Sequence, residues 1–166
     1  FMPSAGVGNV TADVSVKGRG YNPLSANTTM DVDVNLIDVT YQGQQYSDAV
    51  IRATLHSGQG YGSIISHNPN ADFDLGFDAA MDSGRIDGSL NGTIHELNLP
   101  ALGLMAVQCH GSTGIDVSGR YHLSSGAFNA TASLTHLDWM YDSMEFATPR
   151  IDLHAQSGAQ GVSLDV

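Results

Sequence analysis

Seven histidines, one cysteine and an excess of carboxylates are the residues of this chain able to do chemistry. A histidine beside a carboxylate can relay protons or hold a metal. His56, His67, His95, His110, His122, His136 and His154 form no HExxH, no CxxC and no close pair at ligand spacing. His136 with Asp138, and Asp152 with His154, stand two apart, so on extended backbone each pair shares a face. Such pairs read as a solvated polar strand face. Asp31/Asp33, Asp72/Asp74 and Asp78/Asp82 suggest calcium, but the EF-hand loop and the Gly-rich nonapeptide repeat are both absent. Outward acidic positions that discourage edge pairing are the simpler reading.

Other chemistry fares no better. A serine hydrolase of the α/β type needs G-x-S-x-G, which does not occur. Gly18-Arg19-Gly20 and Gly58-Gln59-Gly60-Tyr61-Gly62 echo phosphate loops, yet neither precedes a helix, and both read as turns. Cys109 stands alone, which excludes an internal disulfide and suggests a packed thiol. The Asn-x-Thr sequons at Asn9, Asn27, Asn91 and Asn129 read as Thr-rich strands. The expectation is a protein that is not an enzyme and carries no cofactor and no metal.

The elements that carry these residues are strands. Val10, Ala12, Val14 and Val16 alternate with polar residues, as do Met30 to Leu36, Phe73 to Phe77, Phe128 to Leu134 and Ile151 to Ala155. Period two means one apolar and one wet face. Turns are predicted at Gly18 to Pro23, Tyr41 to Gln45, His67 to Asn70, Asp82 to Gly84, Gly111 to Gly114 and Ser124 to Gly126. Pro100 and Gly103 interrupt Leu99 to Val107, leaving a short helical turn or an edge segment there. The chain is 166 residues long, the size of one domain, with 42% hydrophobic and 14% charged residues. A net charge of −11 disfavours nucleic acid and anionic membrane surfaces. No apolar run is long enough for a membrane helix. Phe1 and Met2 look like a cut end, so a piece of a longer protein is expected.

The chain also repeats. Leu36 to Gly58 aligns without a gap on His136 to Gly158: Asp38 meets Asp138, Tyr41 meets Tyr141, Ile51 meets Ile151, and Ser57-Gly58 meets Ser157-Gly158. A looser copy centres on Ile94 to Leu99. In each unit the apolar residues change phase, from Val34 and Leu36 to Ile37, Val39 and Tyr41, from Leu90 and Ile94 to Leu97 and Leu99, and from Ala132 and Leu134 to Leu137, Trp139 and Tyr141. A strand that changes phase and keeps one face buried must bulge. Aligned bulges predict a sharply bent antiparallel sheet with its apolar residues on the concave side.

Ile86 to Leu99, Ile115 to Leu123, and the steps Ile37-Asp38-Val39 and Leu137-Asp138-Trp139 resemble the TamB/AsmA-like family of the Gram-negative envelope. The resemblance covers most of the chain and is one of strand, Gly and Leu-polar-Leu spacing, without a catalytic or binding motif. It implies a U-shaped all-β sheet, the β-taco, with an apolar trough for phospholipid acyl chains. It implies a periplasmic location, an inner-membrane anchor helix in the full-length protein, and a part in outer-membrane biogenesis with a TamA-like barrel partner. Trough residues expected on this reading are Val32, Val34, Val39, Ile51, Leu55, Phe73, Leu75, Phe77, Leu90, Ile94, Leu97, Phe128, Leu134, Leu137, Trp139, Ile151 and Leu153. The rival reading is a β-solenoid or sandwich repeat of a bacterial surface protein or adhesin, whose inside would be dry and fully packed. Val10 to Val16 and Val162 to Val166 look like strands cut from a longer sheet, which predicts exposed edges and self-association.

Overall fold

The computed structural model describes residues 7–22, 25, 27–41, 44–82, 84–158 and 161–165. Phe1, Met2 and Val166 lie outside them, as do parts of the turns predicted after Tyr41 and Asp82. The described residues form strands and turns, with no helix. The strands are β1 (Val7–Arg19), β2 (Thr29–Tyr41), β3 (Gln44–Tyr46), β4 (Ala49–His56), β5 (Gln59–Asn68), β6 (Ala71–Met81), β7 (Arg85–Asn98), β8 (Cys109–His122), β9 (Phe128–Tyr141), β10 (Met144–Gly158) and β11 (Gly161–Asp165). They follow one another as an antiparallel meander in one open sheet, in the order β1-β2-β4-β5-β6-β7-β8-β9-β10-β11. The short β3 pairs with the last residues of β2, and Asp48, at φ +60°, breaks it from β4.

Each predicted phase change coincides with a slip in register. On β2, Leu36 faces Ala12 while Asp38 faces Thr11, so Ile37 is the extra residue. On β7, Phe73 faces Ile94 while Asp72 faces Glu96, leaving His95 extra. On β9, Thr135 faces Gly114 while Asp138 faces Ser112, and His136 within that step has φ +50°. On β10 the ladder with β9 skips Pro149, which has no N–H to give it. The bulges keep Leu97 and Trp139 on the face occupied by Ile94 and Leu134.

The repeat is a repeat of pairing. Val34 faces Ile51 and Leu134 faces Ile151; Val39 faces Tyr46 and Trp139 faces Phe146. The correspondence extends one strand further than the sequence alignment, because β1 matches β8. Val14, Val16, Gly18 and Arg19 face Val34, Val32, Met30 and Thr29, just as Ile115, Val117, Gly119 and Arg120 face Leu134, Ala132, Ala130 and Asn129. Two three-stranded units, β1-β2-β4 and β8-β9-β10, therefore share one register.

Three glycine-rich segments read as turns are corrected. Gly111 to Gly114 lies inside β8, not in a turn. Glycine serves close approach there: a Cβ on Gly111 would sit 2.8 Å from Trp139 Cγ, and one on Gly114 would strike Thr135 Oγ1. In the Gly58–Gly62 run only Gly58 turns the chain, at φ +79°; Gln59 to Gly62 belong to β5. Gly18 and Arg19 likewise belong to β1. Leu99 to Val107 forms turns and bends.

Candidate functional site

Register alone assembles a continuous apolar surface. One row across the sheet reads Val16, Val32, Ala53, Gly62, Phe77, Leu90, Val117, Ala132, Leu153. The next reads Val14, Val34, Ile51, Ile64, Leu75, Gly92, Ile115, Leu134, Ile151. A third, from Gly18 through Met30, Leu55, Gly60, Ala79, Gly88, Gly119 and Ala130 to Ala155, is built mostly of small residues. No position in the three rows is charged. At the usual strand spacing the rows run about 40 Å.

All the residues expected to line a trough fall on this face. Val39, Leu97, Leu137 and Trp139 reach it beyond the bulges, and every one of the set is half-buried. The sequence missed partners of equal standing. Ile64, Ile115 and Val117 sit in the same rows, and no phase change marks their strands.

The opposite face is polar and internally paired. Its central row reads Ser15, Asp33, Arg52, Ser63, Gly76, Asn91, Asp116, Ser133, Asp152. Cross-strand bonds stitch it: Arg52 Nε donates to Asp33 Oδ2 at 3.3 Å, Thr54 to Asp31 at 2.9 Å, Ser89 to Asp78 at 2.6 Å and Ser133 to Asp152 at 2.8 Å. The hydrogen bond from Arg120 at 2.6 Å, aided by the charges of Arg120 and Arg85, holds the Asp87 carboxyl below its usual value. Arg150, then Ser133, do the same for Asp152 by hydrogen bonding. The acidic pairs suspected of binding calcium are thus engaged with neighbours. His67 stands 3.4 Å from Asp72 and His95 3.5 Å from Asp74. No group of three metal-ligating side chains is gathered among the described residues. A shallow depression of about 650 Å³ crosses β7 to β10 on this polar face, past His95, Asp116, His136 and Arg150.

Nothing packs a second layer onto the apolar face among the described residues. Among the described residues, Leu102, 5% exposed, and Cys109, 8% exposed, are the buried apolar ones, and no large side chain is fully enclosed. The molecule exposes 10716 Å², against about 7,900 Å² expected for a compact chain of its mass. One end of the face is capped. The Leu99–Gln108 segment between β7 and β8 folds over it, and the Tyr46 hydroxyl on β3 donates to Leu102 O at 2.6 Å. That bond spans the width of β5 and β6, so the sheet curls toward its apolar side at this end. Trp139 Nε1 is buried with no acceptor among the described residues. At the other end a depression of about 510 Å³ opens on the same face beside Val16, Gly18, Met30 and Leu55.

The arrangement offers a broad, uncharged, open surface across the described strands. No protein-family model, curated protein or solved structure matches the chain.

Proposed function

We propose that this chain is a lipid-conducting segment of an envelope protein of the TamB/AsmA-like kind, holding phospholipid acyl chains against its apolar face. The observation that carries the reading is the run of three uncharged rows across nine strands, on which no second sheet packs among the described residues. An acyl chain laid on such a face gains roughly 0.8 kcal/mol for each methylene removed from water, so it binds without a specific motif. Small residues in the row from Gly60 through Ala79, Gly88 and Gly119 to Ala130 leave room above the backbone, while Phe77, Leu90 and Leu134 supply area beside it. The rival reading, a repeat of a surface protein or adhesin, calls for a dry and closed interior, and the low burial weighs against it. On the lipid reading the full-length protein works in the periplasm and hands lipid toward the outer membrane, with a TamA-like barrel as partner.

Native mass spectrometry of the chain purified without harsh detergent from a Gram-negative host tests the reading. Bound phospholipid is expected, and its loss when Val34→Asp and Leu134→Asp place carboxylates in one row, because an unpaired charge is costly among acyl chains. Circular dichroism must show the strands retained. A lipid-free chain that also refuses added phospholipid would remove the reading.

A further inference from the structure

The two matched units differ in one respect. β8 is paired on both sides, with β7 and β9, whereas among the described residues β1 pairs on one side only, with β2. The difference is visible in exposure. Val14 and Val16 are 63% and 59% exposed, while their counterparts Ile115 and Val117 are half-buried. The backbone, the apolar phase and the Gly-Arg that follows are the same, so the missing neighbour accounts for the difference. An edge of this length with three exposed valines, Val10 among them, is a template for strand addition.

We propose that the outer edge of β1 is a docking site for a further strand of the β7 type. The partner's chemistry follows from what β7 gives to β8. It runs antiparallel, presents apolar or glycine residues at alternate positions to the apolar face, and carries polar residues on the other. Its register is fixed by the match between the units. Leu90 and Gly92 of β7 face Val117 and Ile115, so the incoming strand sets its Leu90 and Gly92 equivalents against Val16 and Val14. Docking would carry the apolar rows past β1 without a break. The inference does not depend on the lipid reading, since a purely structural array would use the same edge.

A synthetic peptide with the β7 sequence Arg85–Asn98, added to the whole chain, tests the proposal. Hydrogen exchange in Val7–Arg19 should slow at least tenfold, and a scrambled peptide of the same composition should leave it unchanged. A Val16→Cys chain should form a disulfide with a Leu90→Cys peptide at least tenfold faster than with an Ile94→Cys peptide, which reports register. Unprotected β1 amides, equal protection by the scrambled peptide, or protection confined to β11 would overturn the proposal. So would a peptide-free dimer with β1 already protected, because β1 would then pair with its own copy.

Discussion

Gly111 lies directly opposite Trp139 in the β8–β9 ladder, and the indole fills the space where a side chain on residue 111 would be. A Cβ there would sit 2.7 Å from Trp139 Cα and would also strike Asp138 O, so the obstruction is backbone and cannot swing aside. Gly111→Ala should therefore destabilise the chain by about 1–3 kcal/mol, as overpacking does. Gly119→Ala is the control, because its nearest obstacles are Asn129 O at 3.2 Å and Ala130 Cβ at 3.4 Å. Equal urea midpoints for the two variants would show that the Gly111 contact does not constrain the sheet.

The capped end supplies a second prediction. Tyr46 Oη and Leu102 O belong to segments far apart in sequence, and the bond between them ties β3 to the cap. Tyr46→Phe should cost on the order of 1 kcal/mol, the usual net worth of one hydrogen bond. Amide exchange in Leu99–Gln108 should quicken while β9 and β10 keep their rates. Unchanged exchange in the cap would mean that Leu102 is held by packing alone.

Positive φ at His136 makes the β9 bulge testable on its own. At φ +50° a β-branched residue is strained and glycine is at ease. His136→Val should lower the melting temperature, and His136→Gly should leave it level or raise it. If valine were the better tolerated, the strand would be shifting register to escape, and Trp139 fluorescence would move toward that of an exposed indole.

Acid should act through the polar face. Asp87 and Asp152 both titrate below the ordinary aspartate value of 3.8 in the folded chain, through their hydrogen bonds from Arg120 and Arg150. A depressed carboxyl stabilises the folded state at every pH above its unfolded value, and that contribution is lost as pH falls through the folded value. Asp87→Asn and Asp152→Asn should each be less stable than the parent near neutral pH. The gap should close as pH drops below 3.8, and added salt should narrow it at neutral pH. A gap that persists unchanged into strong acid would assign the effect to something other than these ion pairs.

Period-two alternation and its phase changes made β2, β7 and β9 and their bulges legible, because a change of phase in a one-faced strand has a single geometric outcome. The same logic placed Val34, Leu134 and Trp139 on one face. It failed at Gly111 to Gly114, where glycine and serine imitate a turn although the glycines serve close packing against β9. The Leu102 cap was illegible because it depends on a contact with Tyr46 that no local pattern encodes. Likewise, the kinship of β1 with β8 stands out only once both are seen to face their partners in the same register.

The meander has a consequence for how the chain folds and fails. Apart from the short β3, every ladder joins strands that are neighbours along the chain. Such an array is quasi-one-dimensional, like a solenoid whose units feel only their nearest neighbours. It can zip up by short loop closures from any hairpin already formed, without waiting for distant segments to meet. Damage should stay local for the same reason: melting β11 and β10 leaves the ladders from β1 to β9 complete, so unfolding should proceed by fraying from the ends and not as one collapse.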